Sequence, residues 1–413
     1  FCQLLMMTFL FIIFLLFVLP SEYYIYRKDV LRQKRLLRHL YNWVNYIVWG
    51  GTLICIISAK IICCPPEWLM KVTEASLVFF LFNGIAKIIF AISGIIGRKT
   101  NMLGTSPMFA VALCIFINLI MTYSGTTRRW STREERVDIV SEKISSSLAG
   151  LRIVAFSDIH AGHLLDKYDI LGRMVDAINE LDADIVVNLG DLVNNDHTEL
   201  SERTRAILSG IKSKYGVYSV LGNHDMGKYL HRCDTSSREE EARKVALLQE
   251  SMGWRVLRNE TDMIPVRDDT IYISGVDFPG ELMTAKSSHG KLNTEQGYAD
   301  ILETVPADKF NVTLSHAPQA WEELLEAGKS DLTISGHVHS FQIKIKTGRN
   351  KQWSPAKWFY DHWSGLYSEN DDYIYVNDGI GYAILPMRIW CKPELSVIEL
   401  REYEDHSVCG DNK

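Results

Sequence analysis

The chain begins with four long apolar runs, after which short apolar stretches alternate with polar turns. Each run approaches the roughly 17–25 residues that a helix needs to cross the hydrocarbon core of a bilayer. We therefore predict an all-α transmembrane bundle over residues 1–125, formed by the runs Leu4–Leu19, Val44–Cys64, Ala75–Ile96 and Met108–Ser124. The first run is also short enough for a signal-peptide core, although no small-residue cleavage site follows Pro20.

From Leu151 onwards, β-rich stretches alternate with helical ones, which is typical of an α/β fold. The first strands are predicted within residues 151–158, 184–191 and 216–223, and helices within 168–181 and 203–211. Later strands are predicted at Ile271–Val276, Asn311–Ser315, Leu332–Ser335, Ile374–Val376 and Leu395–Leu400. These patterns divide the chain into the bundle, a linker over 126–149, a second domain over 150–402 and a tail over 403–413.

Charge separates the same two parts of the chain. Residues before Asp138 contain 15 Lys and Arg against 6 Asp and Glu, whereas the remainder contains 29 against 44. An acidic second part opposes a nucleic-acid partner, because binding to a phosphate backbone requires clustered basic side chains. The eight cysteines include no C-x-x-C pair, so a structural zinc finger is not indicated.

Basic residues in the short loops predict the orientation of the bundle, since they collect on the cytoplasmic side. The loops after the first and third runs hold eight Lys and Arg, against five in the loop after the second run and after the last. This difference favours a multi-pass protein of the bacterial inner membrane with its second domain on the outer side. Lys87 lies within the third run and is either a functional residue or a lysine that faces another helix.

Side chains that bind metal ions come directly after the predicted strands. They are Asp158 and His160 in SDIH, Asp191 in LGD, Asn223 and His224 in LGNHD, His316 in LSHAP, and His337 and His339 in SGHVH. Open α/β sheets bind ligands at the carboxyl ends of their strands, so we expect these eight residues to converge. Glycines precede Asp191, Asn223 and His337, where we expect sharp turns and a close approach of the backbone to a bound anion.

The ligand types indicate a chemistry. Imidazole, carboxylate and amide groups together suit two divalent ions such as Mn, Fe or Zn, about 3.5–4 Å apart. Such a pair lowers the pKa of a bridging water towards neutrality, so a hydroxide attacks phosphorus and no protein nucleophile is required. His224 is then placed to protonate the leaving oxygen as general acid. An eighth ligand or a structural histidine is the alternative for this residue.

In this order the motifs resemble those of the calcineurin-like metallophosphoesterases, over residues 151–400. Two later segments, WSGLY at 363–367 and IGYAILPMRIWCKPEL at 380–395, are similar to the membrane-anchored bacterial branch of that family. The resemblance implies a four-layer αββα sandwich. It also implies that one metal is held by Asp158, His160 and His339 and the other by Asn223, His316 and His337. Asp191 would bridge the two, and His224 would face the substrate.

One departure from related protein phosphatases concerns the run after Asp191. This run is LVNN, whereas the Ser/Thr phosphatases of the superfamily have Asp-Arg-Gly there, so Asn194 stands in for the aspartate. We expect the Asn194 amide to hydrogen-bond a histidine without stabilising an imidazolium by charge. The missing arginine removes a phosphate clamp, which makes a phosphoprotein a poor candidate substrate.

Together these features predict a metal-dependent hydrolase of a phosphodiester, phosphomonoester or pyrophosphate bond. The anchor places the site near headgroups, which favours a lipid or lipid-linked phosphate, although a soluble nucleotide would also be accessible. One alternative is a non-catalytic membrane scaffold, which predicts missing ligands. Another is the regulatory domain of a membrane sensor or transporter, for which Lys87 is the only hint. The aromatic stretch from Trp353 to Tyr367 is either a lipid-facing lip or ordinary packing.

Overall fold

A computed structural model describes most of the chain. The described residues are 15–16, 18–28, 30–32, 34–61, 67–100, 116, 120, 123, 131–164, 167–230, 237–278, 297–348, 351–383 and 387–403. They fall into two compact units, with the main boundary between Arg128 and Arg129.

The N-terminal unit is helical wherever it is described at length. Residues 18–28 form a helix, followed by α1 (Arg35–Asn45), a π-helical segment (Tyr46–Gly50), α2 (Gly51–Ile61) and α3 (Glu67–Thr100). Among the described residues one helical segment, Arg38–Ser58, is long and apolar enough to cross a bilayer, and Asn83–Ile92 is a shorter apolar helix. The second predicted run lies largely in the first of these and the third lies within α3. The first and fourth runs fall almost entirely outside the described residues.

Lys87 is buried inside this unit and has an acidic partner. Its Nζ lies 2.7 Å from Glu22 Oε2 and also donates to Asn45 Oδ1. The rings of Tyr41 and Trp49 each have their centroid 5.5 Å from the same nitrogen. Of the two interpretations of Lys87, the contacts match a lysine that faces neighbouring helices, with its charge balanced by Glu22.

The second unit contains two six-stranded sheets. The first has the spatial order β1 (Arg133–Ser141), β14 (Glu394–Glu402), β2 (Arg152–Phe156), β3 (Ile185–Asn188), β4 (Val217–Ser219) and β5 (Arg255–Val256). The second has the order β12 (Gly365–Glu369), β13 (Asp372–Val376), β9 (Leu332–Ser335), β8 (Asn311–Ser315), β7 (Asp269–Val276) and β6 (Glu260–Val266). Strands β2 to β5 are parallel, as are β13, β9, β8 and β7. A short ribbon pairs β10 (Ile345–Lys346) with β11 (Gln352–Trp353).

The layers follow from the alternation of side chains along the strands. In β2, Val154 and Phe156 belong to a core shared with α4 (Tyr168–Glu180), α5 (Glu202–Leu208) and α6 (Arg238–Glu250). Ile153 and Ala155 point to the other face, into a core that both sheets share. Helices α7 (Tyr298–Ile301) and α8 (Trp321–Ala327) cover the second sheet. The order of layers is therefore helix, sheet, sheet, helix, which agrees with the expected α/β sandwich.

The segment predicted as a linker contains part of this domain. Residues 133–141 form β1, which pairs in parallel with β14 from Arg133–Glu394 to Ser141–Glu402. The sequence hides this strand because it lies at the sheet edge, where Ile139 alone of its nine residues is fully buried and charged residues fill most other positions. A catalytic fragment cut at Asp138 would lose half of the strand.

Candidate metal centre

The eight predicted site residues lie on five loops, each at the carboxyl end of a parallel strand. Asp158 and His160 follow β2, Asp191 follows β3, and Asn223 and His224 follow β4. His316 follows β8, and His337 and His339 follow β9. Both sheets thus contribute to one cluster, in which every residue except the half-buried His337 is buried.

The first half of the cluster contains Asp158, His160 and His339. His339 Nε2 lies 3.0 Å from Asp158 Oδ1 and 3.3 Å from His160 Nε2. Potential ligand atoms of all three lie within 4.8 Å of one another. This is the set that the family resemblance implies for one metal.

The second half contains His316 and His337 beside Asp191. His316 Nε2 lies 3.2 Å from Asp191 Oδ2 and 3.2 Å from His337 Nδ1. His316 Nδ1 donates to the Leu189 carbonyl over 2.7 Å, which turns its other nitrogen towards the cluster. The three side chains form a second group whose ligand atoms lie within 4.8 Å of one another.

Asp191 belongs to both halves. Its Oδ2 also lies 4.0 Å from His160 Nε2 and 3.8 Å from His224 Nε2. Its Oδ1 accepts from the His224 backbone N–H over 2.8 Å. One carboxylate oxygen therefore faces histidines of each half, which is the position required of a bridging ligand.

Asn223 provides the test of whether this cluster suits a cation. Its side chain is buried, and its Oδ1 accepts no hydrogen bond from the described residues. A buried amide oxygen without a donor costs free energy unless another partner satisfies it. His160 Nε2 and His339 Nε2, which face each other over 3.3 Å, can likewise share a cation as partner, so the residues fit divalent cations.

The backbone of the centre is strained at the predicted ligands. Asp158, His160, Asp191, His337 and His339 have φ between 49° and 72°, in the left-handed region that non-glycine residues seldom adopt. Each such conformation costs on the order of 1–3 kcal/mol and persists only where the surroundings enforce it. Concentrated strain of this kind is typical of functional sites, and no sequence pattern reveals it.

The glycines before the ligands differ from one another. Gly190 has φ of +95° and makes the sharp turn that we predicted before Asp191. Gly222 instead gives room to a ligand, because a Cβ there would lie 2.1 Å from Asp191 Oδ1. Likewise, a Cβ on Gly336 would lie 2.7 Å from Asp158 Oδ2. These two glycines accommodate carboxylates of the centre itself, where we had expected an approach to a bound anion.

Electrostatics divide the histidines. Burial lowers the pKa of His337 to about 3, with the neighbouring His316 acting in the same direction. His316 itself has its pKa raised to about 9, because the attraction of Asp191 outweighs burial. The pKa of Asp191 lies well below its usual range, because His316 and His224 together outweigh its burial. His316 and Asp191 thus each stabilise the charged form of the other.

His224 is held by the main chain, which corrects the expected role of Asn194. His224 Nδ1 donates to the Asn194 backbone carbonyl over 2.6 Å, whereas Asn194 Oδ1 has no hydrogen-bond partner among the described residues. A carbonyl acceptor is available from any residue, so the amide side chain is not needed to orient the imidazole. His224 Nε2 faces the centre, and burial lowers the pKa of the ring.

Several supporting residues escaped the sequence interpretation. Asp225 Oδ1 and Oδ2 accept from the backbone N–H groups of Val193 and Gly222 over 3.0 Å each, which ties the Asp191 and Asn223 loops together. Arg388 is buried with its Nη2 3.3 Å from His339 Nδ1. Asp225 could have been found as the last residue of the GNHD motif, but Arg388 lies far along the chain in no recognisable motif.

The flanking residues left out of the predicted site have other contacts. The His163 ring stacks on Tyr382 with centroids 4.0 Å apart, and His197 Nδ1 pairs with Glu241 over 2.9 Å. Asn195 Nδ2 donates to Glu199, and Asp166 lies outside the described residues. In the aromatic stretch, Tyr360, Trp363 and Tyr367 pack into a core cluster, whereas Trp358 and Phe359 are exposed.

Comparison with known proteins agrees with this geometry. The calcineurin-like phosphoesterase family matches residues 151–341. A zebrafish (Danio rerio) transmembrane protein with metallophosphoesterase domain is 27% identical over 370 residues, which cover 85% of this chain and 78% of the fish protein. The uncharacterized metallophosphoesterase YkuE of Bacillus subtilis is 28% identical over 64% of this chain and 83% of its own length.

A further relative carries a named activity. The UDP-2,3-diacylglucosamine pyrophosphatase LpxG of Chlamydia trachomatis is 26% identical over 48% of this chain and 66% of its own length. The family match over residues 151–341 contains the converging aspartates and histidines described above. Residues 151–341 are thus similar to calcineurin-like phosphoesterases, and together with the metallophosphoesterases among the relatives this match indicates a hydrolase of phosphoester bonds.

Proposed function

We propose that the centre holds two divalent cations and hydrolyses a phosphodiester, phosphomonoester or pyrophosphate bond. The observation that carries this proposal is the position of Asp191, whose Oδ2 lies 3.2 Å from His316 Nε2 in one half of the centre and 4.0 Å from His160 Nε2 in the other. Asp158, His160 and His339 would hold one cation, and Asn223, His316 and His337 the other. Mn, Fe and Zn all accept this mixture of ligands. When bound, the pair would supply a hydroxide nucleophile and neutralise charge on the phosphoryl group.

Protein groups would perform the remaining tasks. His224 Nε2 is directed into the centre because Nδ1 donates to the Asn194 carbonyl. A protonated imidazole in this position can give its proton to the departing oxygen, which is the role of a general acid. Asp225 would keep the loops that carry Asp191 and Asn223 in register through its two backbone hydrogen bonds. Completeness of the ligand set opposes the scaffold alternative.

We further propose that the substrate is a lipid or lipid-linked phosphate at a membrane. The support is the apolar segment Arg38–Ser58, the relatives named as transmembrane proteins and the diacylglucosamine pyrophosphatase among the relatives. Four spans over residues 1–125, a catalytic domain on the outer face and a place in the bacterial inner membrane remain parts of this proposal. Such an anchor would concentrate the site at headgroups.

The test uses the full chain purified in detergent, with metal analysis and hydrolysis of bis-p-nitrophenyl phosphate. We expect about two metals per wild-type chain and measurable hydrolysis. Asp191→Asn should lower kcat at least about a thousandfold and contain less metal, since this carboxylate faces both halves of the centre. Asp176→Asn, an exchange of the same kind on α4, is the control. Wild-type protein that binds metal but cleaves neither this diester nor p-nitrophenyl phosphate would contradict the proposal.

A further inference from the structure

Lys228 lies close to the candidate centre but plays no part in the predicted ligand set. Its backbone N–H donates to the Asn223 carbonyl over 3.2 Å, so the residue is tied to a ligand-bearing loop. Its side chain is half-buried, with Nζ 5.4 Å from the centroid of the Phe278 ring. A cation at this distance from an aromatic face is attracted by the ring, which limits where the ammonium group can lie.

Phe278 connects this ammonium group to one side of the centre. The ring is buried, and its centroid lies 5.5 Å from that of His337 and 5.9 Å from that of His316. The positive charge of Lys228 also reaches His337, where it adds to burial and to His316 in lowering the pKa of that ring. Lys228 therefore belongs to the half of the centre formed by His316 and His337.

Within the part of the chain that the structure describes, the other positive charge near the centre already has partners. Arg388 donates to the carbonyls of Gly381 and Asp378 and contacts His339, so its guanidinium is saturated. In the loop after Asp191, Asn195 follows Asn194 at the position of the arginine clamp, and its amide donates to Glu199. In contrast, no carboxylate among the described residues forms an ion pair with Lys228.

We infer that Lys228 binds an anionic oxygen of the substrate on the His316–His337 side, next to the phosphoryl group that is cleaved. Cations at the centre would neutralise the scissile phosphoryl group, so an additional ammonium group favours a substrate with a second negative group, such as an adjacent phosphate. The inference rests on the proposed function for the identity of the scissile group. It makes Lys228 a specificity-determining residue.

The test measures binding by titration calorimetry with full-length protein in detergent and excess Mn²⁺. Methylenediphosphonate serves as an uncleavable probe with two adjacent phosphoryl groups, and methylphosphonate as the probe with one. We expect Lys228→Met to weaken the first probe about tenfold and the second less than about twofold, because a charge-assisted hydrogen bond is lost. Lys228→Arg should restore most of the affinity, and Lys212→Met, at the opposite end of β4, should change neither.

Three results would overturn the inference: unchanged binding in Lys228→Met, equal weakening of both probes, or no binding of methylenediphosphonate by wild type. Hydrolysis of bis-p-nitrophenyl phosphate, measured in parallel, separates the two proposals. A wild-type protein that cleaves no ester but binds the double probe through Lys228 would refute the proposed function and leave the inference intact. Cleavage of the diester by wild type, with no effect of Lys228→Met on probe binding, would support the proposed function and refute the inference.

Discussion

Buried charge is handled differently in the two units of the chain. In the N-terminal unit, Lys87 meets Glu22 at 2.7 Å together with the Asn45 amide, so opposite charges cancel within one small group. In the catalytic domain, nitrogen atoms face nitrogen atoms, as between His160 and His339 at 3.3 Å, and Asn223 Oδ1 has no donor among the described residues. The first cluster satisfies its own polar groups, whereas the second leaves polar atoms that the proposed cations would satisfy.

The difference separates two meanings of a buried polar residue. An ion pair with satisfied partners supports packing, and its removal is measured as lost stability. A convergence of acceptors under backbone strain opposes folding and is retained for chemistry. Substitutions should therefore affect the two clusters in different observables, activity in one and stability in the other.

The largest effect is expected at His224, in activity alone. Loss of a general acid costs about 10²–10⁴-fold in rate, so His224→Gln should lower kcat by that factor for an alkyl phosphodiester, whose leaving group is strongly basic. The loss should be much smaller for bis-p-nitrophenyl phosphate, whose leaving group needs little protonation. Equal losses on both substrates together with depleted metal would identify His224 as a ligand instead.

An intermediate effect is expected at Lys87, in stability alone. Lys87→Met leaves the half-buried Glu22 carboxylate without its partner, which costs less than the roughly 3–5 kcal/mol of a fully buried pair but should still lower stability clearly. The double variant Lys87→Met with Glu22→Gln should recover much of that loss, because no charge remains unpaired. Thermal unfolding of the full chain in detergent measures both variants. Unaltered stability together with lost hydrolysis would assign Lys87 a functional role and weaken the distinction between its cluster and the metal centre.

The smallest effect is expected at Asn194. Because His224 is oriented by the Asn194 backbone carbonyl, Asn194→Ala should change kcat by less than about twofold. The change removes a buried amide whose Oδ1 has no hydrogen-bond partner among the described residues, so the free energy of unfolding should change by about 1 kcal/mol or less. The measurement is steady-state hydrolysis of the same alkyl phosphodiester that is used for His224→Gln, beside a thermal scan. A loss approaching that of His224→Gln would mean that the amide, and not the main chain, positions the imidazole.

The sequence predicted the strands that are buried on both faces. Asn311–Ser315 and Leu332–Ser335 match β8 and β9 to the residue, because short runs between turns in which Val, Leu or Ile alternates with Thr and Ser are distinctive of strands. Strands β1, β6 and β12 were missed because they lie at sheet edges, and β6 even contains Pro265, which only an edge strand tolerates. Edge strands bury little, so their composition resembles that of loops.

The centre was predictable to the extent that its ligands follow strands. Motifs after β2, β3, β4, β8 and β9 identified the eight side chains that converge. Arg388, Phe278 and the carbonyl that holds His224 were not predictable, since they reach the centre from distant segments or through the main chain. The ion pair between Lys87 and Glu22 was not predictable for the same reason, because the two residues are 65 positions apart.

Gly222 and Gly336 leave no space for even one methyl group beside Asp191 and Asp158. During divergence of the family, an exchange at either position would have to coincide with movement of a carboxylate that the centre cannot release. We therefore expect both glycines to be invariant in functional relatives. Lys228 is half-buried and outside the predicted ligand set, so we expect it to vary. Such a protein would acquire new substrates through its outer loops while inheriting its chemistry unchanged.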